Sequence, residues 1–334
     1  MNTTTKINRA RRRAWLPAAC IGAALALAGL NATAQAWPAK PVKIVVSYPP
    51  GGTVDAVARV LAPRLSARLG QGVLIDTRAG AGGVIGGDVV AKSTADGYTL
   101  LLDASNHSQN PALRSKMPFD TLRDLAPVSL LVRVPNVLVA NPATPFSSVK
   151  DLVVQAKAKP EHINYASSGN GSAQHLAAEL FSAMAGVRMT HVAYKGGGPA
   201  LTDVMAGQVP VFFGSLASSL PYIESGKLRA IAVTGKARAP VLPQIPTVAE
   251  SPGLAGYEVY EWNGVFAPAG TPAPVIDRLS KELAAVVREP EVRARLEAMG
   301  AEVIGSTPAE LDTFRRSEIA KWTQVAKSNK IELD

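Results

Sequence analysis

The stretch SYPPGGTVD, residues 47–55, follows the apolar run VKIVV and precedes a long helical pattern. It places two prolines and two glycines together where one of each would turn the chain. The doubled glycine strips side chains from the start of a helix, which suits a place where another molecule must approach bare backbone. In a parallel sheet the carboxyl ends of strands face the ligand crevice, and the following helix offers unpaired N–H groups there. The positive end of that helix favours an anion. Gly51 and Gly52 would then admit a carboxylate to the amides, with Thr53 as the N-cap.

The rest of the chain repeats this arrangement. Short apolar runs at 42–47, 73–76, 98–102, 127–132, 137–140, 163–166, 190–193, 209–213, 228–234 and 259–266 read as strands. Helical patterns lie at 54–69, 83–92, 148–157, 172–184 and 199–206, and only helices follow the last strand, at 273–288, 291–299 and 308–327. Alternation of this kind predicts an α/β fold of mostly parallel sheets flanked by helices. Runs such as IVV and LLL are nearly continuous, as strands covered on both faces require. The ten strands divide into two sheets of five. VRVPNVLVANP and YEVYEWNGVFAPAG are long, extended and bounded by Pro or Gly, and they read as crossovers near Pro135 and Glu258. The expected lobes are residues 37–134 plus 260–334 and residues 135–259, with a ligand cleft between them.

Residues 1–36 read as a secretory signal peptide. Lys6, Arg9, Arg11, Arg12 and Arg13 open it, an apolar run of about 17 residues follows, and the Ala-Gln-Ala site at 34–36 predicts cleavage before Trp37. Removing the leader takes five of the 35 Lys and Arg and none of the 26 Asp and Glu, so the net charge falls from +9 to +4. That modest charge steers anions but does not mark a nucleic-acid binder. Cys20, the one cysteine, leaves with the leader, and so does any disulfide or thiol chemistry.

Further glycine- and serine-rich loops end other strands. NYASSGNGSAQH offers the hydroxyls of Ser167, Ser168 and Ser172 beside Gly169 and Gly171; AYKGGGPAL has three glycines and puts Pro199 at a helical N1 position. LLDASNHSQNPAL supplies Ser105, Asn106 and Ser108, and DTRAGAGGVIGG follows the second strand. Five such loops in two lobes point to an anion-binding cleft. Catalytic patterns fit less well. The third glycine of a dinucleotide fingerprint is replaced by Ile85, and neither a phosphate-binding P-loop nor a G-x-S-x-G elbow occurs. His107, His162, His175 and His191 lack metal-ligand spacing, so neither a metal nor another cofactor is expected. His175 reads as a solvent or cap residue, Asp55 and Asp203 are not paired as acid and base, and Trp262 either lines the cleft or packs under the hinge. A hydrolase with Ser168 or Ser172 as nucleophile is the alternative from another class.

Taken together, YPPGGTVD, RAGAGG, GYTLLL, NPAL, YASSGNGSAQHLAAE, YKGGGPALTDVMAGQV, GKLRAIAVTG, IPTVAES and EWNGVFAPAGTP resemble the substrate-binding receptors of tripartite tricarboxylate transporters, the Bug-type receptors. The resemblance runs in order through the chain after the leader. It implies a non-enzymatic, two-lobed periplasmic binding protein of the Venus-flytrap type II fold. Such a protein closes as a monomer on a small carboxylate and passes it to membrane permease subunits. It also implies that Tyr48, Pro49, Pro50, Gly51, Gly52 and Thr53 pin a carboxylate from one side, and the loop from Ser167 to Ser172 from the other. Ser105, Asn106 and Ser108, with Phe213 and Ser215, fall at the distal specificity positions. Thr77 and SNHSQNP depart from the family's usual residues, the second near the distal end of the ligand. A receptor that signals without feeding a permease would look the same.

Overall fold

The structure, a computed structural model, describes Met1, residues 37–329 and residue 331; the expected signal peptide and Cys20 lie outside the described residues. From residue 40 onward the chain is built on two sheets that share one strand. In the first sheet β1 (Val42–Val46) pairs in parallel with β2 (Val73–Thr77) and β3 (Thr99–Asp103). In the second, β5 (Asn164–Ser167) pairs in parallel with β6 (Thr190–Ala193) and β7 (Val211–Ser215). The remaining strands are β4 (Leu125–Ala140), β8 (Arg229–Val233), β9 (Tyr260–Pro268) and the short β10 (Glu302–Val303).

Each sheet is mixed. Parallel pairing holds where a helix carries the chain from one strand to the next, as in any βαβ unit. It gives way to antiparallel pairing around β4 and β9, which return the chain without that unit. The two runs read as separate strands at 127–132 and 137–140 are one continuous strand of 16 residues. Up to Pro135 it pairs with β9, and from Asn136 it pairs with β7 and β8. Pro135, which has no N–H to donate, stands where the strand changes sheets.

Helices flank both sheets: α1 (Thr53–Leu69), α2 (Val84–Ala91), α3 (Asn106–Leu113), α4 (Val149–Ala158), α5 (Ala173–Ala185), α6 (Gly197–Met205), α7 (Leu216–Glu224), α8 (Ala273–Arg288), α9 (Pro290–Ala298) and α10 (Pro308–Asn329). The sequence reading lacks α3 and α7. Both are short and carry an interior proline, Pro111 and Pro221, which masks the helical pattern. Among the described residues no helix is long and apolar enough to cross a membrane.

Among the described residues two hydrophobic clusters stand out in the core. One gathers Val45, Leu101, Leu130, Trp262, Phe266 and Leu311; the other gathers Leu138, Tyr165, Phe181, Phe213, Tyr257 and Trp322. Helix α10 therefore begins in the first cluster and ends in the second. Trp262 is buried among Phe266 and Phe314, so it packs rather than lining a cleft.

The two strand crossovers meet at one buried side chain. Asn136 N donates to Thr234 Oγ1 at 2.8 Å, and that hydroxyl lies 2.6 Å from the carbonyl of Val259. Thr234 N and O complete the cluster with Asn136 O and Val259 N at 2.9 and 3.0 Å. Replacing Thr234 by the isosteric Val strands one amide and one carbonyl in a buried setting. Thr234→Val should lower unfolding stability by about 1–3 kcal/mol in urea titration; an unchanged midpoint would show that the cluster carries no weight.

Candidate ligand-binding site

The site is assembled around the carboxylate of Asp103 at the end of β3. Its Oδ1 accepts from Ser47 Oγ at 2.6 Å, from Ala104 N at 3.0 Å and from Asn106 Nδ2 at 3.0 Å. One buried carboxylate thus fixes the loop after β1 against the loop after β3. Across from them, the ends of β5 and β7 lead into α5 and α7. Between the two sides lies a small cavity of about 30 Å³.

The first turns of five helices, or the residues that cap them, line this cavity. Gly52, Thr53 and Val54 open α1; Ser105 and Asn106 open α3; Ala173 and Gln174 open α5; Gly197 opens α6; Ser215 and Ser218 open α7. Only α5 has its N-cap satisfied by a side chain, Ser172 Oγ accepting from His175 N at 3.2 Å. The caps of α1, α3, α6 and α7, which are Gly52, Ser105, Gly196 and Ser215, make no such bond. Backbone donors and positive helix ends therefore converge here, the arrangement that favours an anion. The Ser105 hydroxyl, fully buried on the cavity wall, has no hydrogen-bond partner.

Of the residues singled out from the sequence, Tyr48, Pro49, Gly52, Thr53, Ser105, Asn106, Ser168 and Ser215 line the cavity together. The others do not. Pro50 and Gly51 are exposed on the outside of the turn. Gly51 adopts φ +87°, and its N–H donates to Asp55 Oδ2 at 3.3 Å, so the residue serves the turn, and Gly52 is the glycine of the pair that lines the cavity. Thr53 is not the N-cap but the first helical residue, and its hydroxyl reaches Ser215 Oγ at 2.6 Å across the cavity. Ser108 lies within α3 and bonds to Ser105 O. Ser167 Oγ is held 2.6 Å from His191 Nε2. Gly171 donates to His175 Nδ1, Ser172 caps α5, and Phe213 belongs to the core. Gly169 instead lines an outer recess of about 720 Å³, which shares Tyr48, Pro49 and Ser168 with the inner cavity and carries Arg114 and Lys195. Pro199 is the third residue of α6, still in the first turn, where its missing N–H costs nothing.

Gln174 and Glu261 are lining residues that the sequence reading lacks. Glu261 sits on β9 in the crossover rather than in a strand-end loop, so no loop pattern marks it. Its Oε2 accepts from Gln174 Nε2 at 2.9 Å and lies 3.4 Å from Thr53 Oγ1. Burial pushes its pKa up, and hydrogen bonds from Ser215, Gln174, Asn263 and Thr53 oppose that shift. Burial, reinforced by Asp103 and Glu261, holds the Tyr48 hydroxyl protonated.

Behind the loop after β5, His175 and His191 stack with ring centroids 4.0 Å apart. His175 is buried rather than solvent-facing. Burial lowers its pKa to about 3, helped by the neighbouring His191, and lowers that of His191 to about 4.

Two mixed sheets sharing a strand, with a polar cavity ringed by helix ends, define a two-lobed solute receptor. Residues 57–331 match the tripartite tricarboxylate transporter family receptor (TctC) family, and the chain belongs to it. BugT of Bordetella pertussis is 39% identical over 313 residues, which cover 92% of this chain and 96% of BugT. The solved structure of R. palustris Rpa4515 with adipate is similar at a TM-score of 0.86 and 39% identity, covering 89% of this chain and 99% of that one. Periplasmic binding protein BugD is similar at 0.85 and 35%, again over 89% and 99%. The fold is that of the periplasmic solute-binding proteins of this family.

Two expectations follow. Ser105→Ala removes a hydroxyl without a protein partner, so the melting temperature should hold while ligand affinity falls by about 1.5–3 kcal/mol, the range for a bond to a charged group. Equal affinity in calorimetry would remove Ser105 from the site. The two histidines bind protons in the unfolded chain near pH 6.5 and in the folded one only near 3 and 4. Their contribution to stability is therefore full above pH 6.5 and is lost as pH falls toward 4. Urea midpoints of His191→Phe should fall less steeply over that interval than those of the parent; parallel slopes would discount the pair.

Proposed function

We propose that the chain is a periplasmic receptor that closes as a monomer on one small organic acid and delivers it to the permease subunits of a tripartite tricarboxylate transporter. On this reading residues 1–36 are the cleaved signal. The lobes are residues 37–134 plus 260–334 and residues 135–259, and the inner cavity is the ligand site. The observation that carries the reading is the convergence of five helix starts, four without a side-chain cap, on a cavity holding an unpartnered serine hydroxyl. Membership of the TctC family and the similarity to Rpa4515, solved with adipate, support a carboxylate as the occupant.

The energetics agree with a site of many small contributions. A carboxylate gains about 0.3–1 kcal/mol at one exposed helix end and about 2 when partly buried, whereas micromolar binding takes about 8 kcal/mol. Helix ends set the orientation, and direct hydrogen bonds from Ser105, Ser168 and the backbone amides in a dry cavity supply the remainder.

The hydrolase alternative is not favoured. Ser168 lines the cavity but has no histidine partner among the described residues, and Ser167, which has one in His191, does not line it. Ser172 is occupied as the α5 cap.

Native mass spectrometry of receptor released from the periplasm should show one carboxylic acid per chain. Calorimetry with succinate, glutarate, adipate and their substituted forms should give saturable heats. Retention of a ligand without a carboxylate, or turnover of esters, would overturn the reading.

A further inference from the structure

Around the inner cavity the rims of the two sheets already meet. Thr53 Oγ1 lies 2.6 Å from Ser215 Oγ, and Gly196 and Gly82 are packed too closely on Pro49 and Asn170 to carry a Cβ. On the reverse side of the crossovers the same two halves stand apart. A recess of about 580 Å³ lies there between residues 237–240, which follow β8, and α9 with β10. Strand alternation separates the two faces: Glu261 lines the inner cavity, whereas its neighbour Tyr260 lines the rear recess.

The halves are joined beside this recess, but no ion pair among the described residues crosses it. Lys236 N donates to Tyr260 Oη at 3.1 Å, and the Arg133 guanidinium lies 5.3 Å from the centre of the Tyr260 ring. Gly300, just past α9, packs so closely on α7 that a Cβ there would come within 2.6 Å of Leu216 Cδ2. Leu216 directly follows Ser215, so the rear contact and the front hydroxyl pair bear on adjacent residues of one helix start. Each charged group of the walls finds its partner on its own side: Arg238 with Glu250, Arg293 with Glu297 and Arg133 with Glu302.

Two halves joined along one line of strands rock about it. Parting the rims in front brings the walls together behind, and packed interiors do not compress to absorb the motion. We propose that the rear recess sets the balance between the open and closed receptor, so that bulk placed in it resists opening and slows release of a bound ligand. The inference rests on the closing-receptor reading above and adds a control point that no ligand contact shares.

The test is carried out on the full receptor with Ala237→Cys, an exposed position on the recess wall. With the leader and Cys20 removed, this thiol is the one cysteine of the chain. It is capped with methyl or with benzyl methanethiosulfonate, and reductant removes either group. Small-angle X-ray scattering of the ligand-free receptor should give a smaller radius of gyration for the benzyl form than for the methyl form. Dissociation of whichever of succinate, glutarate and adipate binds tightest should slow by about tenfold in the benzyl form, as a shift toward the closed population requires, and recover with reductant. If Ala237→Cys does not melt cooperatively, Glu297→Cys on the opposite wall gives the same readout. Equal radii and equal dissociation rates for the two caps, or faster dissociation with the larger one, would overturn the proposal and leave the carboxylate receptor standing. If none of the three acids binds, the carboxylate reading fails and the radius of gyration alone decides the recess.

Discussion

Both strand connections between the two sheets pass through the buried cluster of Asn136, Thr234 and Val259, and the geometry of the cavity depends on it. Strand β4 enters the second sheet at Asn136, and β9 begins beside Val259 on its return to the first. One threonine hydroxyl links them, donating to one crossover while accepting from the other. Glu261 stands two residues beyond Val259, so the floor of the cavity is set by the same link. Helix α10 adds a third connection, with Leu311 in one core cluster and Trp322 in the other. A helix of 22 residues behaves as a strut about 33 Å long.

The cavity beside this cluster is defined by a contrast in charge. Helix starts from both sides point positive ends inward, whereas the buried carboxylates, Asp103 and Glu261, are acidic. The two carboxylates differ in their surroundings. Asp103 receives three hydrogen bonds on one oxygen and acts as an internal clamp for the loops after β1 and β3. Glu261 is on the wall itself, among neutral donors. Thr53 and Gln174 both reach the same oxygen of Glu261, its Oε2.

Much of this was legible in the sequence, for identifiable reasons. Central strands such as β1 and β7 are covered on both faces, so their apolar runs stand out without periodicity. Helix α8 was readable to the residue because Pro272 starts it and a long amphipathic pattern sustains it. Helices α3 and α7 were not, since each is about two turns long with a proline inside, and serine-rich starts read as loop. The loops singled out from the sequence border the cavity, and half of the residues named in them line it. Ser167, Gly171 and Ser172 sit in the right loop but spend their polar atoms on His191, His175 and the α5 cap. Which side of a loop faces the cavity is decided by backbone dihedrals, and a one-letter string does not carry them. Glu261 was hidden for another reason: it lies mid-strand, where loop chemistry gives no signal.

The doubled glycine that opens the first helix can now be divided into its parts. Gly51 makes the turn, at a φ that other residues rarely adopt, and Gly52 lays bare backbone against the cavity. The glycines facing them serve a third purpose. A Cβ on Gly196 would come within 2.5 Å of Pro49 Cγ, and one on Gly82 within 2.8 Å of the Asn170 carbonyl. These contacts join the rim of one sheet to the rim of the other, and they exist only because no side chain intervenes. The proline pair of the opening stretch is the rigid partner in that fit, since Pro49 lies against Gly196. Close approach of the rims narrows the way into the cavity, and electrostatic interactions are stronger where less water enters. On the proposed reading of the cavity as the ligand site, the glycine-rich loops serve affinity twice: by exposing amides, and by letting the walls meet.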